Sequence, residues 1–138
     1  MTIREIEESI VEEFSAFTDW MDRYEYIIEL GKGVPPIEES EKNEENLIRG
    51  CQSRVWLNCF YKEGKLYFSA DSDAIITKGI IALLIRVYNG QAPKDILESD
   101  LSFIQKIGLQ GNLSPARANG LVSMIKQIKA YALAYMNR

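Results

Sequence analysis

The residues best suited to chemistry in this chain are Gly50-Cys51-Gln52-Ser53, which run into Arg54-Val55-Trp56-Leu57. A cysteine preceded by the most flexible residue, then polar residues and an apolar alternating run, reads as a thiol on a loop entering a strand. Two readings stand for Cys51: a buried loop-end cysteine, or a reactive thiol whose thiolate is favoured by cations or helix N-termini. Arg54, Lys78 and Arg117 are the cations available if the fold brings them close. The second cysteine, Cys59, falls mid-strand on an apolar face and reads as a small buried hydrophobe.

Two cysteines and no histidine bound what these thiols can do. A structural zinc site wants four Cys or His ligands, and Ser-His-Asp or Cys-His catalysis wants an imidazole base. An accessible thiol without acid-base machinery suits thiol exchange, in which a thiolate attacks sulfur and a group is handed over. A net charge of −4 gives no basic field for a phosphate backbone, which excludes nucleic acid as an expected partner. No apolar run approaches the roughly 20 residues of a membrane helix, and the expected location is the cytoplasm. The 138 residues are expected to form one domain, 1–138, burying roughly two-thirds of the unfolded surface.

The elements that must position Cys51 follow from pattern. Thr2-Ile3-Arg4-Glu5 is a capping box opening a helix with Ile3, Ile6, Ile10 and Phe14 on one stripe. Thr18 caps a second helix through Trp20, Tyr24, Ile27, Ile28 and Leu30, with Gly31 as a left-handed terminator. From Lys32 to Gly50, Pro35-Pro36 and five glutamates between 38 and 45 predict a long acidic loop that delivers the chain to Cys51. A hairpin turns at Glu63-Gly64, pairing Lys62 with Lys65, Tyr61 with Leu66, Cys59 with Phe68 and Leu57 with Ala70 on a core-facing side. The other side, with Trp56, Asn58, Phe60, Tyr67, Ser69 and Asp71, is mixed and partly exposed. A third short strand is expected around Asn46 to Arg49.

Asp71-Ser72-Asp73 offers N-caps for a helix with Ile76, Ile80, Leu83, Leu84 and Val87 on one stripe, ending at Asn89-Gly90. Pro93 starts a short helix, and Ser99 or Asp100 caps another ending at Gly108, with a loop through Gly111 and Asn112. Ser114-Pro115 begins the last helix, which buries Leu121, Met124, Ile125, Ile128, Ala132 and Tyr135 and turns Lys126, Lys129 and Arg138 to water. Arg117 in its first turn opposes the helix dipole. The fold class is α+β, a small antiparallel sheet of about three strands with helices packed on one side.

The chain resembles the SufE family of cysteine desulfuration proteins. The resemblance rests on Gly50-Cys51-Gln52-Ser53 with Val55-Trp56, Tyr26-Ile27-Ile28-Glu29-Leu30-Gly31, Asp71-Ser72-Asp73-Ala74 with Lys78-Gly79, and Leu113-Ser114-Pro115 with Arg117 and Gly120-Leu121, in family order. It implies a SufE/NifU-like fold and Cys51 as acceptor of sulfane sulfur from a persulfide on a SufS-type cysteine desulfurase. The sulfur then passes to a scaffold assembling iron-sulfur clusters. Pyridoxal phosphate would belong to the desulfurase, so no cofactor or metal is expected here. The resemblance further implies a loop, hinged at Gly50, that tucks the sulfur away or exposes it. Arg117 matches an arginine associated with partner engagement, and Asp73 an acidic residue beside the loop. The family does not require Cys59. A bacterial cytoplasmic form is implied, since the transit peptide and appended domains of plastid relatives are lacking; a monomer or weak homodimer is expected. Two alternatives remain: an iron-sulfur or metal scaffold, short of soft ligands here, and a redox-sensing thiol with an exposed Cys59 as resolving partner.

Overall fold

The structure, a computed structural model, describes residues 1–136. Helix α1 (Ile3–Ser15) opens with the expected capping box: the Glu5 amide donates to Thr2 Oγ1 at 3.1 Å and the Thr2 amide to Glu5 Oε1 at 2.9 Å. Helix α2 (Trp20–Gly31) is capped by Asp19 rather than Thr18, its Oδ1 accepting from the Met21 amide at 3.2 Å. Asp19 directly precedes the first helical residue, and its charge also suits the positive helix end. Gly31 is no left-handed terminator; it is the last helical residue, with Lys32 in right-handed conformation after it. Its missing side chain serves a helix crossing. A Cβ on Gly31 would lie 2.9 Å from the Gly79 amide nitrogen, and one on Gly79 would lie 2.1 Å from the Ile27 carbonyl oxygen.

Gly79 belongs to α3 (Ile75–Tyr88), buried on nearly every side rather than along one stripe. Arg86 from α3 and the Tyr26 hydroxyl from α2 both bond Glu13 on α1, tying the three helices together. Strands β1 (Val55–Lys62) and β2 (Lys65–Ser72) pair antiparallel in the expected register throughout. Glu63 and Gly64 both take positive φ, 52° and 83°, as a two-residue turn matching the strand twist requires. Val55, Leu57, Cys59, Leu66, Phe68 and Ala70 lie in the core. Tyr61 departs from that face: it stays 50% exposed beyond the core's edge and stacks on Tyr135 at 5.5 Å.

Among the described residues the sheet has two strands, not three. The expected strand near Asn46 is a single bridge, Leu47 to Trp56, flanked by bonds from the Ile48 amide to Val55 O and from the Leu57 amide to Asn46 O. Gly50, at φ 91°, turns the chain away before pairing extends. At the other edge Pro36 bridges Ala70, and proline has no N–H with which to lengthen a ladder. The acidic stretch between these bridges is pinned rather than merely solvated. Val34, Ile37 and Ile48 are buried, Glu39–Glu41 forms a 3₁₀ turn, and Lys42 reaches Glu39 at 2.8 Å and Asp71 at 2.6 Å.

After β2, none of Asp71, Ser72 and Asp73 is the N-cap of α3; that position is Ala74, because β2 runs on to Ser72. Pro93 does start α4 (Pro93–Glu98). The helix expected up to Gly108 is one turn, α5 (Phe103–Lys106), and the expected loop holds another, α6 (Leu109–Asn112), with Leu101 and Gly108 at positive φ before each. Helix α7 (Pro115–Met136) begins as expected, with the Arg117 amide donating to Ser114 Oγ at 3.3 Å. It buries Leu121, Met124, Ile128 and Ala132, while Ile125 and Tyr135 are partly buried. Lys129 does not face water: its ammonium bonds the Ser99 carbonyl at 2.7 Å, closing the end of α4. Lys126 is exposed, and Arg138 lies outside the described residues. Among the described residues no helix is long and apolar enough to cross a membrane.

Candidate functional site: a thiol loop docked on the last helix

Residues 49–54 leave the Leu47 bridge, pass over α7 and enter β1. Two consecutive residues touch the helix. Gly50 comes so close that a Cβ there would lie 2.4 Å from Ser123 Oγ, and the Cys51 thiol donates to the Gly120 carbonyl at 3.7 Å. Gly120 itself lies directly under the thiol: a Cβ on it would sit 3.5 Å from Cys51 Sγ, at ordinary contact distance. Gly120 and Ser123 stand three apart on one helix face, so α7 offers the loop a strip of small side chains.

The downstream end of the loop is clasped by the last residue of β2 and the residue after it. Asp73 Oδ1 accepts from the Arg54 amide at 3.0 Å; the Arg54 carbonyl accepts from the Asp73 amide at 3.2 Å and from Ser72 Oγ at 2.8 Å. The loop is therefore held at both ends by hydrogen bonds and in the middle by two contacts to α7. Gln52 is exposed and Ser53 half-buried.

Cys51 is half-buried against the edge of the core, and burial pushes its thiol above the ordinary range. A group that loses water disfavours its charged form, so the docked sulfur rests as the thiol. The expected cations have other partners. The Arg117 guanidinium lies over the Tyr24 ring, 5.9 Å from its centroid; Lys78 pairs with Asp71 at 3.4 Å; Arg54 is exposed and held through its backbone. Arg117 is one helical turn before Gly120, which sets it at the rim of the docking strip.

Cys59 is 8% exposed on the core face of β1, and burial lifts its thiol to about 12. Both thiols are free, and a resolving role would need an exposed Cys59. Among the described residues no group of three or more Asp, Glu or Cys side chains is placed to hold a metal. Sequence reasoning missed Ser123 and Tyr24. The signal for Ser123 was a small residue one turn beyond Gly120; for Tyr24 no sequence signal exists, because its contact with Arg117 spans two distant helices.

A thiol on a clasped loop over a helix is the site of a small α+β thiol protein, and the comparisons give that class a family. The model of the SufE family, described as an Fe-S metabolism associated domain, matches residues 8–132. An uncharacterised SufE-like protein of Synechocystis is 40% identical over 126 residues, covering 91% of this chain and 79% of that one. One from Rhizobium meliloti is 39% identical over 130 residues, covering 91% and 93%. One from Rhizobium etli is 40% identical over 131 residues, covering 91% and 88%. The solution structure of a hypothetical protein from Thermus thermophilus shares the fold, with TM-score 0.79 at 21% identity over 96% of this chain and 97% of that one. The chain belongs to the SufE family, which associates it with iron-sulfur metabolism.

Proposed function

We propose that this protein is a sulfur acceptor and activator for a SufS-type cysteine desulfurase, with Cys51 as the acceptor. The observation that carries the reading is the Cys51 loop itself: a thiol on a clasped segment, over small side chains of α7, in a protein of the SufE family. The docked thiol first gives up its proton and becomes a thiolate. The thiolate then attacks the outer sulfur of the desulfurase persulfide; a new S–S bond forms on Cys51, the donor's S–S bond breaks, and its electron pair leaves with the donor thiolate. Cys51 then carries the persulfide and hands its outer sulfur to a scaffold building clusters, in the cytoplasm.

In this reading the pyridoxal phosphate chemistry belongs to the desulfurase, and this chain supplies the acceptor thiol and its loop. Gly50 gives the loop its hinge, Gln52 and Ser53 form the segment that moves with it, and Asp73 holds its downstream end. Arg117, at the rim, is offered to the partner. The test is to incubate the protein with a cysteine desulfurase and cysteine, weigh it intact and map the modified peptide. One added sulfur on Cys51, and loss of desulfurase activation in Cys51→Ser, are the expected results. No added sulfur, or equal activation by Cys51→Ser, refutes the proposal.

A further inference from the structure

Arg117 carries a charge that its own helix opposes. It lies in the first turn of α7, where the helix dipole repels a cation, and it is exposed. An exposed arginine there would spread over many rotamers. Instead the guanidinium lies over the Tyr24 ring, 5.9 Å from its centroid, and that ring is the one partner its side chain has among the described residues. We propose that Tyr24 is a positioning residue for the sulfur transfer: its ring holds the Arg117 guanidinium at the edge of the thiol site, with the N–H groups left open for an anionic group on the desulfurase. The inference deepens the proposed function and rests on it for the identity of the partner.

A ring and a carboxylate hold a guanidinium to different ends. A carboxylate neutralises the charge and occupies N–H donors in a bidentate pair. An aromatic face attracts the same charge through its quadrupole and leaves the donors in the guanidinium plane unspent. Arg117 is thus restrained without being satisfied. The planar fork that suits a carboxylate or another oxyanion stays free, at a helix end that also favours negative charge.

The ring is itself fixed. Tyr24 packs against the core, and Arg23 beside it on α2 donates from Nε to the Phe17 carbonyl at 2.8 Å and from Nη1 to the Ile107 carbonyl at 2.9 Å. Ile107 caps the end of α5, a few residues before the chain enters α7. One residue of α2 therefore ties down the approach to α7, and the next supports the cation in its first turn. From Arg117 the helix rises about 4.5 Å to Gly120, whose carbonyl accepts from Cys51 Sγ at 3.7 Å. A partner anion seated on Arg117 is then one helical turn from the residue beneath the thiol.

The test titrates a cysteine desulfurase with this protein and reads the half-saturating concentration and the maximal rate separately. Tyr24→Leu keeps apolar bulk and removes the ring. It is expected to raise the half-saturating concentration about two- to fivefold, the usual strength of one such contact at an exposed site, with the maximal rate near wild type. Tyr24→Phe keeps the ring face and should titrate like wild type. In an Arg117→Ala background Tyr24→Leu should add nothing, because the ring then has no cation to hold. Wild-type half-saturation in Tyr24→Leu overturns the proposal. So does a loss that Tyr24→Phe shares, or one of equal size with and without Arg117, since either makes Tyr24 a packing residue only. The free protein supplies a check that needs no partner: the Arg117 side-chain protons lie in the ring current of Tyr24, so their NMR signals should sit upfield and return to their ordinary positions in Tyr24→Leu. No displacement in the wild-type protein overturns the positioning role and leaves the sulfur-acceptor reading intact, whereas a wild-type protein that does not activate the desulfurase at all sinks that reading and this inference with it.

Discussion

Gly50→Ala puts two separable penalties on the closed loop. At φ 91° the backbone lies where an L side chain costs about 1–2 kcal/mol, and the new Cβ would lie 2.4 Å from Ser123 Oγ. The hydroxyl is the far end of a short side chain, and Ser123 Cβ stays at 3.4 Å, so rotating χ1 relieves the collision at about 0.5–1.5 kcal/mol. The sum, about 1.5–3.5 kcal/mol, falls on the docked loop and not on the undocked one, which shifts the closed-to-open ratio by roughly one to two and a half powers of ten. The assay is the rate at which iodoacetamide alkylates Cys51, read by peptide mapping so that buried Cys59 is counted apart. Gly50→Ala is expected to react tens of times faster than wild type. Ser123→Ala, which removes only the hydroxyl, should react at nearly the wild-type rate. The double variant should recover the collision share, a factor of about 2 to 12, and retain the backbone share. If Gly50→Ala reacts at the wild-type rate, the contact with α7 does not guard the thiol; if the double variant matches the single one, Ser123 is not the residue Gly50 rests on.

Asp73→Ala removes the acceptor for the Arg54 amide, and an exposed bond to a carboxylate of this kind is worth about 1 kcal/mol; denaturant titration should show that loss, with faster alkylation of Cys51 from the freed loop. Gly79→Ala would drive a Cβ to 2.1 Å from the Ile27 carbonyl, and because both sides of that contact are backbone the helices must part; a loss of about 3 kcal/mol or more is expected in the same titration. Cys59 gives a pH test: its folded thiol is raised to about 12 against an ordinary 9.0, so above pH 9 the unfolded chain releases a proton that the folded chain keeps, and stability falls as pH rises toward 12. At pH 10 that share is on the order of 1 kcal/mol, and the stability gap between wild type and Cys59→Ala should change by about that amount between pH 8 and pH 10; a constant gap refutes the buried neutral thiol.

The hairpin was legible because period-two alternation and a two-residue turn leave one register, and a slip of one residue would turn Leu57, Phe68 and Ala70 to water. The capping box of α1 and the proline starts of α4 and α7 were legible for the same local reason. What failed depended on distant partners. A glycine at a helix end reads as a terminator, yet Gly31 is small because Gly79, 48 positions on, crosses it; nothing near Gly31 carries that information. The stretch 99–112 divided differently because the left-handed Leu101 delays the expected helix to the single turn α5, and the left-handed Gly108 starts a second turn, α6, where a loop was expected. At the site, the position of Cys51 on a loop before β1 could be read directly. Its cations could not, since Arg117 and Lys78 find Tyr24 and Asp71, contacts made only once α2, β2 and α7 are assembled.

Those diverted cations bear on how an acceptor thiol of this kind must work. A thiol activated in the free protein would need a positive neighbour, and would then react with any disulfide or oxidant it met. Here burial pushes the Cys51 thiol toward its protonated form, the Gly120 carbonyl accepts from it, and the Arg117 guanidinium lies over the Tyr24 ring. The free protein is thus built for low reactivity. Under the proposed function, activation must come with the partner, which has to draw residues 50–53 off α7 before the thiol can ionise in water or beside the donor persulfide. Docking and activation then become one event, and the same helix face that restrains the empty thiol decides when it can act.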